Sequence, residues 1–195
     1  MSELAFRIAT IAILIIFYLV YFLKMVSQRK KGITTNQIAK GDKPKKVMII
    51  ETTMKAATYL VVAAEAVSIF SGWSLLPVNL RVMGILIGIV GDIIFALAVF
   101  TMRDSWRAGI PEDDKTSLVT EGIFKYSRNP AFTGFDIVYI GILLIYFNIF
   151  LLVLSIWAIV MLHLQILQEE QYLMKSFGQE YSSYKEKVMR YLGRK

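Results

Sequence analysis

Two short blocks carry side chains whose types and spacing suit chemistry at a membrane surface. The first runs Ser117-Leu118-Val119-Thr120-Glu121-Gly122-Ile123-Phe124-Lys125-Tyr126-Ser127-Arg128-Asn129-Pro130-Ala131-Phe132-Thr133-Gly134, between two apolar stretches. The second comes about one apolar run later: Glu169-Glu170, then Phe177-Gly178-Gln179-Glu180-Tyr181 and Tyr184. Pro130 has no N–H to donate and holds Asn129 toward an extended backbone. Such a backbone at the entrance of an apolar span leaves amides and carbonyls free to face a ligand. Proline is also an ordinary first residue of a helix, so the dipeptide alone does not decide. Paired acids where a span leaves the membrane can hold a cation, although acids at a helix end near water are often just solvated. Phe124 and Phe132 add aromatic faces, which attract a cation by about 0.5–2 kcal/mol. A protein that only spans a bilayer needs none of this.

Other polar residues fall inside apolar runs, where ionised side chains are costly and often functional. Asp136 follows Phe132 by one helical turn and is the one candidate for a catalytic group; no other catalytic residue is assigned. Glu65 and Asp92 sit near the middle of their runs, where they are expected to be protonated or hydrogen-bonded between helices. His163 is the only histidine and there is no cysteine, so no metal site is expected. Glu170, about 100° around a helix from Glu169, is expected to be structural.

The elements that must position these residues are membrane helices. The 195 residues are 56% hydrophobic, with a mean hydropathy of +0.55. Apolar runs at about 4–23, 56–76, 82–102, 131–147 and 149–167 each match the about 17–25 residues that cross a bilayer. Only helices satisfy their own backbone in lipid. The sequence therefore predicts an all-α integral membrane protein: one domain, 1–195, with five transmembrane helices. The first run is too long for a signal peptide, has Glu3 before it, and is expected to persist as a helix. Gly84 and Gly88 form a small-xxx-small surface for close helix packing. Leu173, Phe177, Tyr181, Tyr184 and Val188 share one helical face, which predicts a C-terminal amphipathic helix on the membrane surface or capping a cavity.

The charge of +7 is unevenly spread. Eight Lys/Arg against one Asp lie between Lys24 and Lys46. Arg103, Arg107, Lys115, Lys125 and Arg128 follow the third run, and Lys175, Lys185, Lys187, Arg190, Arg194 and Lys195 lie in the tail. The other side has only Arg7 and Arg81. The positive-inside rule then puts the N-terminus outside, and the C-terminus and both blocks in the cytoplasm. The 24–46 loop is expected to orient the chain and touch anionic headgroups loosely. Nucleic-acid binding is not expected, because the basic residues lack a recognition fold.

Together the two blocks resemble the membrane methyltransferases of the isoprenylcysteine carboxyl methyltransferase and phospholipid methyltransferase group. That family carries Leu-Val-x-x-Gly-x-Tyr-x-x-x-Arg-His-Pro-x-Tyr, an acidic pair, and Phe-Gly-x-Glu-Tyr-x-x-Tyr. The resemblance covers about 104–192 and implies S-adenosylmethionine as cofactor. By similarity, Thr116, Ser117, Leu118, Val119, Phe124, Asn129, Pro130, Ala131 and Phe132 match cofactor-contacting positions, and Glu169 the acid that meets the donor's ammonium. Three departures stand out: Asn129 replaces the usual His, and Phe124 and Phe132 replace Tyr. Asn keeps donor and acceptor capacity but does not titrate near neutrality, so this motif is not expected to do acid–base work.

Four residues before Glu169, the prenylcysteine enzymes carry an Arg that engages the substrate carboxylate. Here Gln165 stands there as the matching substrate-binding residue. It cannot form a bidentate charged pair, which argues against a prenylcysteine carboxylate as acceptor. Arg103 and Arg107 are the basic residues that could replace it. The resemblance implies an S-adenosylmethionine-dependent methyltransferase acting on a lipophilic acceptor from the bilayer. Two alternatives remain: an NADPH-dependent membrane reductase of the sterol or steroid type, and a non-catalytic membrane scaffold. The reductases usually read Arg-His-Pro-Asn-Tyr-x-Gly-Glu at this place, and here the Asn-Tyr and the following Glu are missing.

Overall fold

The computed structural model describes residues 1–110 and 116–194. Lys115 and Lys195, counted above in the charge asymmetry, lie outside the described residues. Among the described residues five α-helices follow one another: α1 (Glu3–Arg29), α2 (Lys45–Ser71), α3 (Val78–Met102), α4 (Pro130–Ile145) and α5 (Ile149–Lys187). Among the described residues there is no strand, only two isolated bridges. The chain is an all-α, multi-pass membrane protein. Helices α1, α2, α3 and α5 are long and apolar enough to cross a bilayer, and α4 is a shorter apolar helix. At 1.5 Å per residue α4 is about 24 Å long.

Local chemistry sets the helix ends. The Ser2 hydroxyl accepts from the Ala5 amide and caps α1, and Asn148 accepts from Leu151 to cap α5. Gly72, in the left-handed region at φ 67°, stops α2 at Ser71 rather than at 76. The same helix starts at Lys45, well before the expected 56, because its first turns lie beyond the apolar run. Pro130 is the first residue of α4. The amphipathic helix is not separate: it continues α5 through a break at Gly178, whose φ of 50° and ψ of −120° only glycine adopts without strain.

Helices α3 and α4 form the tightest pair. A Cβ built on Gly84 would lie 2.6 Å from the Gly141 carbonyl, and one on Gly141 would lie 2.6 Å from the Gly88 amide. The two backbones therefore touch, as the small-residue spacing in α3 predicts. Phe17, Phe95 and Phe135 join α1, α3 and α4, with ring centroids 4.3 to 5.2 Å apart. At the end of the bundle away from the two blocks, Arg81 donates to the Ile145 carbonyl at 2.8 Å and to Glu3 at 2.8 Å, and lies over the Phe6 ring.

The segment between α1 and α2 departs from expectation. Residues 34–39 are not a loose headgroup contact but pack on the segment after α3. The Gln37 amide donates to the Ala108 carbonyl at 2.7 Å, and the Ala108 amide to Thr35 at 2.9 Å. Gln28, wholly buried, binds the Thr35 hydroxyl and the Trp106 carbonyl. Two strips of backbone that would otherwise need water thus satisfy each other.

Candidate functional site

The two sequence blocks fold onto one another. The Tyr184 hydroxyl donates to the Phe124 carbonyl at 2.7 Å, fastening the end of α5 to the short 3-10 turn Gly122–Lys125. Arg128 donates twice to one oxygen of Glu170, at 2.7 and 3.1 Å, and to the carbonyls of Lys185 and Val188. Arg190 donates twice to the other Glu170 oxygen, at 2.9 and 3.2 Å. Asn129 adds its amide to Glu170 and to the Arg190 carbonyl. Burial raises the Glu170 carboxyl, but hydrogen bonds from Arg190 and Arg128 outweigh that and hold it below the usual carboxylate range. Glu170 is thus a structural tie. The chain after it returns across the first block, with the Gly193 amide on the Tyr126 carbonyl and the Tyr191 hydroxyl 2.6 Å from His163.

This scaffold encloses a cavity of about 120 Å³. All ten residues matched to the cofactor line it: Thr116, Ser117, Leu118, Val119, Phe124, Asn129, Pro130, Ala131, Phe132 and Glu169. Trp106 and Tyr172 add aromatic wall that no motif reading had assigned, and Leu173, Tyr181 and Tyr184 of the amphipathic face line the cavity as well. Glu169 contrasts with its neighbour. It lies just past the apolar run ending at 167, and one oxygen accepts from Gln165 Nε2 at 3.1 Å. Burial pushes its carboxyl up to about 7, with the Gln165 hydrogen bond opposing. An acid in this state gains by meeting a cation.

A second, larger cavity of about 370 Å³ lies beside the first, among α1, α2, α4 and α5. The two share a wall of Trp106, Arg107, Gly109, Ala131, Phe132 and Glu169. The larger one is mostly apolar, and Asn36 and Ile38 of the α1–α2 segment are part of its lining. Arg107, which donates to the carbonyls of Asp104 and Trp106, brings a cation to the shared wall.

Two residues singled out in the sequence stand back from these cavities. Asp136 is in neither lining, and one of its oxygens is buried without a partner. Gln165 is also in neither lining and is fully buried behind Glu169. Its amide nitrogen lies between Glu169 and Glu51, at 3.1 and 3.4 Å. Glu51 is the main residue missed from sequence. Wholly buried at the start of α2, it accepts from Lys43 at 2.7 Å and from the amides of Ala39 and Ile110 at 2.7 and 3.0 Å. A faint signal exists: Glu51 shares a helical stripe with Met54, Thr58 and Glu65.

Comparison with known proteins agrees with this architecture. The model of the phospholipid methyltransferase family matches residues 79–180, more than half of the chain and the stretch from α3 into the end of α5. The chain belongs to that family. Among curated proteins it is similar to a probable protein-S-isoprenylcysteine O-methyltransferase of Oryza sativa subsp. indica, 32% identical over 109 residues. Its counterpart in Oryza sativa subsp. japonica matches equally. The alignment takes in 54% of this chain and 57% of either rice protein, so the chain spans little more than half the length of the relatives it matches.

Proposed function

We propose that this chain, read as one domain over 1–195, is a membrane methyltransferase using S-adenosylmethionine. The smaller cavity takes the donor from the cytoplasmic side, and the larger takes a lipophilic acceptor from the bilayer. One observation carries this reading: a cavity with an acid, a free-standing backbone strip and aromatic faces shares a wall with an apolar cavity open among membrane helices. Family membership supports it.

The donor set fits the cofactor on the chain's own chemistry. Glu169 is a carboxylate short of a cation and suits the donor's ammonium. Residues 116–119 run without helix or strand and can turn backbone amides toward its carboxylate. Phe132 and Trp106, on the shared wall, suit a sulfonium. When bound, the cofactor supplies an electrophilic methyl group on a cationic sulfur. The residues of the shared wall hold the acceptor in line with it and keep water out. No covalent intermediate on the protein is required. Asp136, set back from both cavities, would act through a neighbour rather than on the acceptor. Gln165 would bear on acceptor choice through Glu169, and Arg107 is the nearer cation for an acidic acceptor.

The test is calorimetry of purified protein with S-adenosylhomocysteine and, separately, NADPH. The first should bind and the second should not. A hydrogen bond to a charged group contributes about 1.5–3 kcal/mol, so Glu169→Gln should weaken S-adenosylhomocysteine roughly 10- to 150-fold. Equal affinity for wild type and variant sinks the assignment of Glu169, and NADPH binding in place of S-adenosylhomocysteine sinks the activity.

A further inference from the structure

The larger cavity is not a plain hydrocarbon slot. Four tyrosines line it, Tyr18 and Tyr21 from α1, Tyr59 from α2 and Tyr139 from α4. An alkyl chain packs as well against Phe or Leu, so a pure hydrocarbon gives no reason for so many phenols. Tyr139 is only 3% exposed, and its hydroxyl is buried with no hydrogen-bond partner. Glu65, an electrostatic neighbour of both Tyr18 and Tyr139, is wholly buried, and neither of its carboxylate oxygens has a partner. A polar group buried unpaired carries its whole desolvation cost, and in a membrane span no bulk water relieves it. An unpartnered hydroxyl on a residue that lines the cavity, with an unpartnered acid from another helix as its electrostatic neighbour, points to a ligand group that completes the hydroxyl.

Position along the helix gives that group an address. Phe132 stands on the wall shared with the donor cavity, and Tyr139 lies about 10 Å further along the same helix at 1.5 Å per residue. We propose that the inner end of the larger cavity is a binding subsite for a hydroxyl-bearing lipophile. Its hydrocarbon body fills the cavity, and its hydroxyl, about 10 Å from the shared wall, bonds to Tyr139 with Glu65 behind. A hydroxyl donates and accepts as Tyr139 and a protonated acid do, and costs far less to desolvate than an ammonium. That this ligand is the methyl acceptor rests on the methyltransferase reading; that the subsite binds it does not.

The experiment measures equilibrium binding of radiolabelled primary alkanols, octanol through tetradecanol, and of the matching n-alkanes. Nanodisc-embedded full-length protein is compared with empty nanodiscs. A hydroxyl opposes entry into an apolar cavity, so an apolar inner end favours the alkane at every length. The subsite predicts a length at which the alkanol binds at least as tightly as the alkane. It also predicts that Tyr139→Phe weakens the alkanol roughly 2- to 10-fold while leaving the alkane unchanged. The unchanged alkane affinity reports that the variant is folded, and Glu65→Gln serves as the second variant with the same expectation. Alkane preference at every length, no binding above empty nanodiscs, or an alkanol affinity indifferent to both substitutions overturns the subsite. S-Adenosylhomocysteine affinity in the same samples reports separately on methyl transfer.

Discussion

Adjacent acids with opposite surroundings define the site at the scale of the residue. Glu169 faces the cavity with an amide for a neighbour, whereas Glu170 is held by Arg128, Asn129 and Arg190. A helix separates neighbours by about 100°, so one residue can serve a ligand while the next ties the scaffold. Breaking a buried ion pair costs about 3–5 kcal/mol. Glu170→Gln should therefore lower the melting temperature markedly. The protein that stays folded should lose less S-adenosylhomocysteine affinity than Glu169→Gln does; an unchanged melting temperature refutes the tie. Gln165 makes a sharper case. An arginine there would put a guanidinium between Glu51 and Glu169 and compete for Glu169 with the donor's ammonium. Gln165→Arg should weaken S-adenosylhomocysteine about tenfold, and tighter binding would refute the competition. Glu169 was legible because it falls in the acidic pair by which the chain resembles the family. Glu51 was not, because its partners come from segments far apart in the chain.

Among the elements, the α1–α2 segment differs most from its appearance in the sequence. Its lysines read as a solvated, orienting loop, yet Lys43 is buried against Glu51 and residues 34–39 pair with the segment after α3. Charge counting sees the sign of a lysine and not its partner. Glu51→Leu removes the acceptor for Lys43 and for the amides of Ala39 and Ile110 at once. Trypsin should then cut after Lys40 faster than in wild type, while α3 and α4 stay paired through their glycines. Unchanged cleavage there would show that the segment is held by other means. The helix ends teach the same lesson in reverse. Gly72 and Pro130 punctuate α2 and α4 through backbone chemistry that any reader of the sequence can apply.

For the whole molecule, the basic residues around α1–α2, after α3 and in the tail imply that both blocks face the cytoplasm. The Cys-free chain suits the test. A single cysteine at position 122 should react with an impermeant thiol reagent only from the cytoplasmic side; labelling from outside alone would invert the orientation. The sequence by itself determined the class of fold and the apolar helices, because hydropathy and period are local along the chain. Its resemblance to the family's motifs pointed to the ten residues around the smaller cavity. Tertiary structure alone decided that a second cavity shares a wall with the first, that Gln165 stands behind Glu169, and that Glu51, Lys43 and four tyrosines gather near them. Those relations join residues separated by most of the chain, and no local pattern records which helix faces meet when glycine-lined backbones close together.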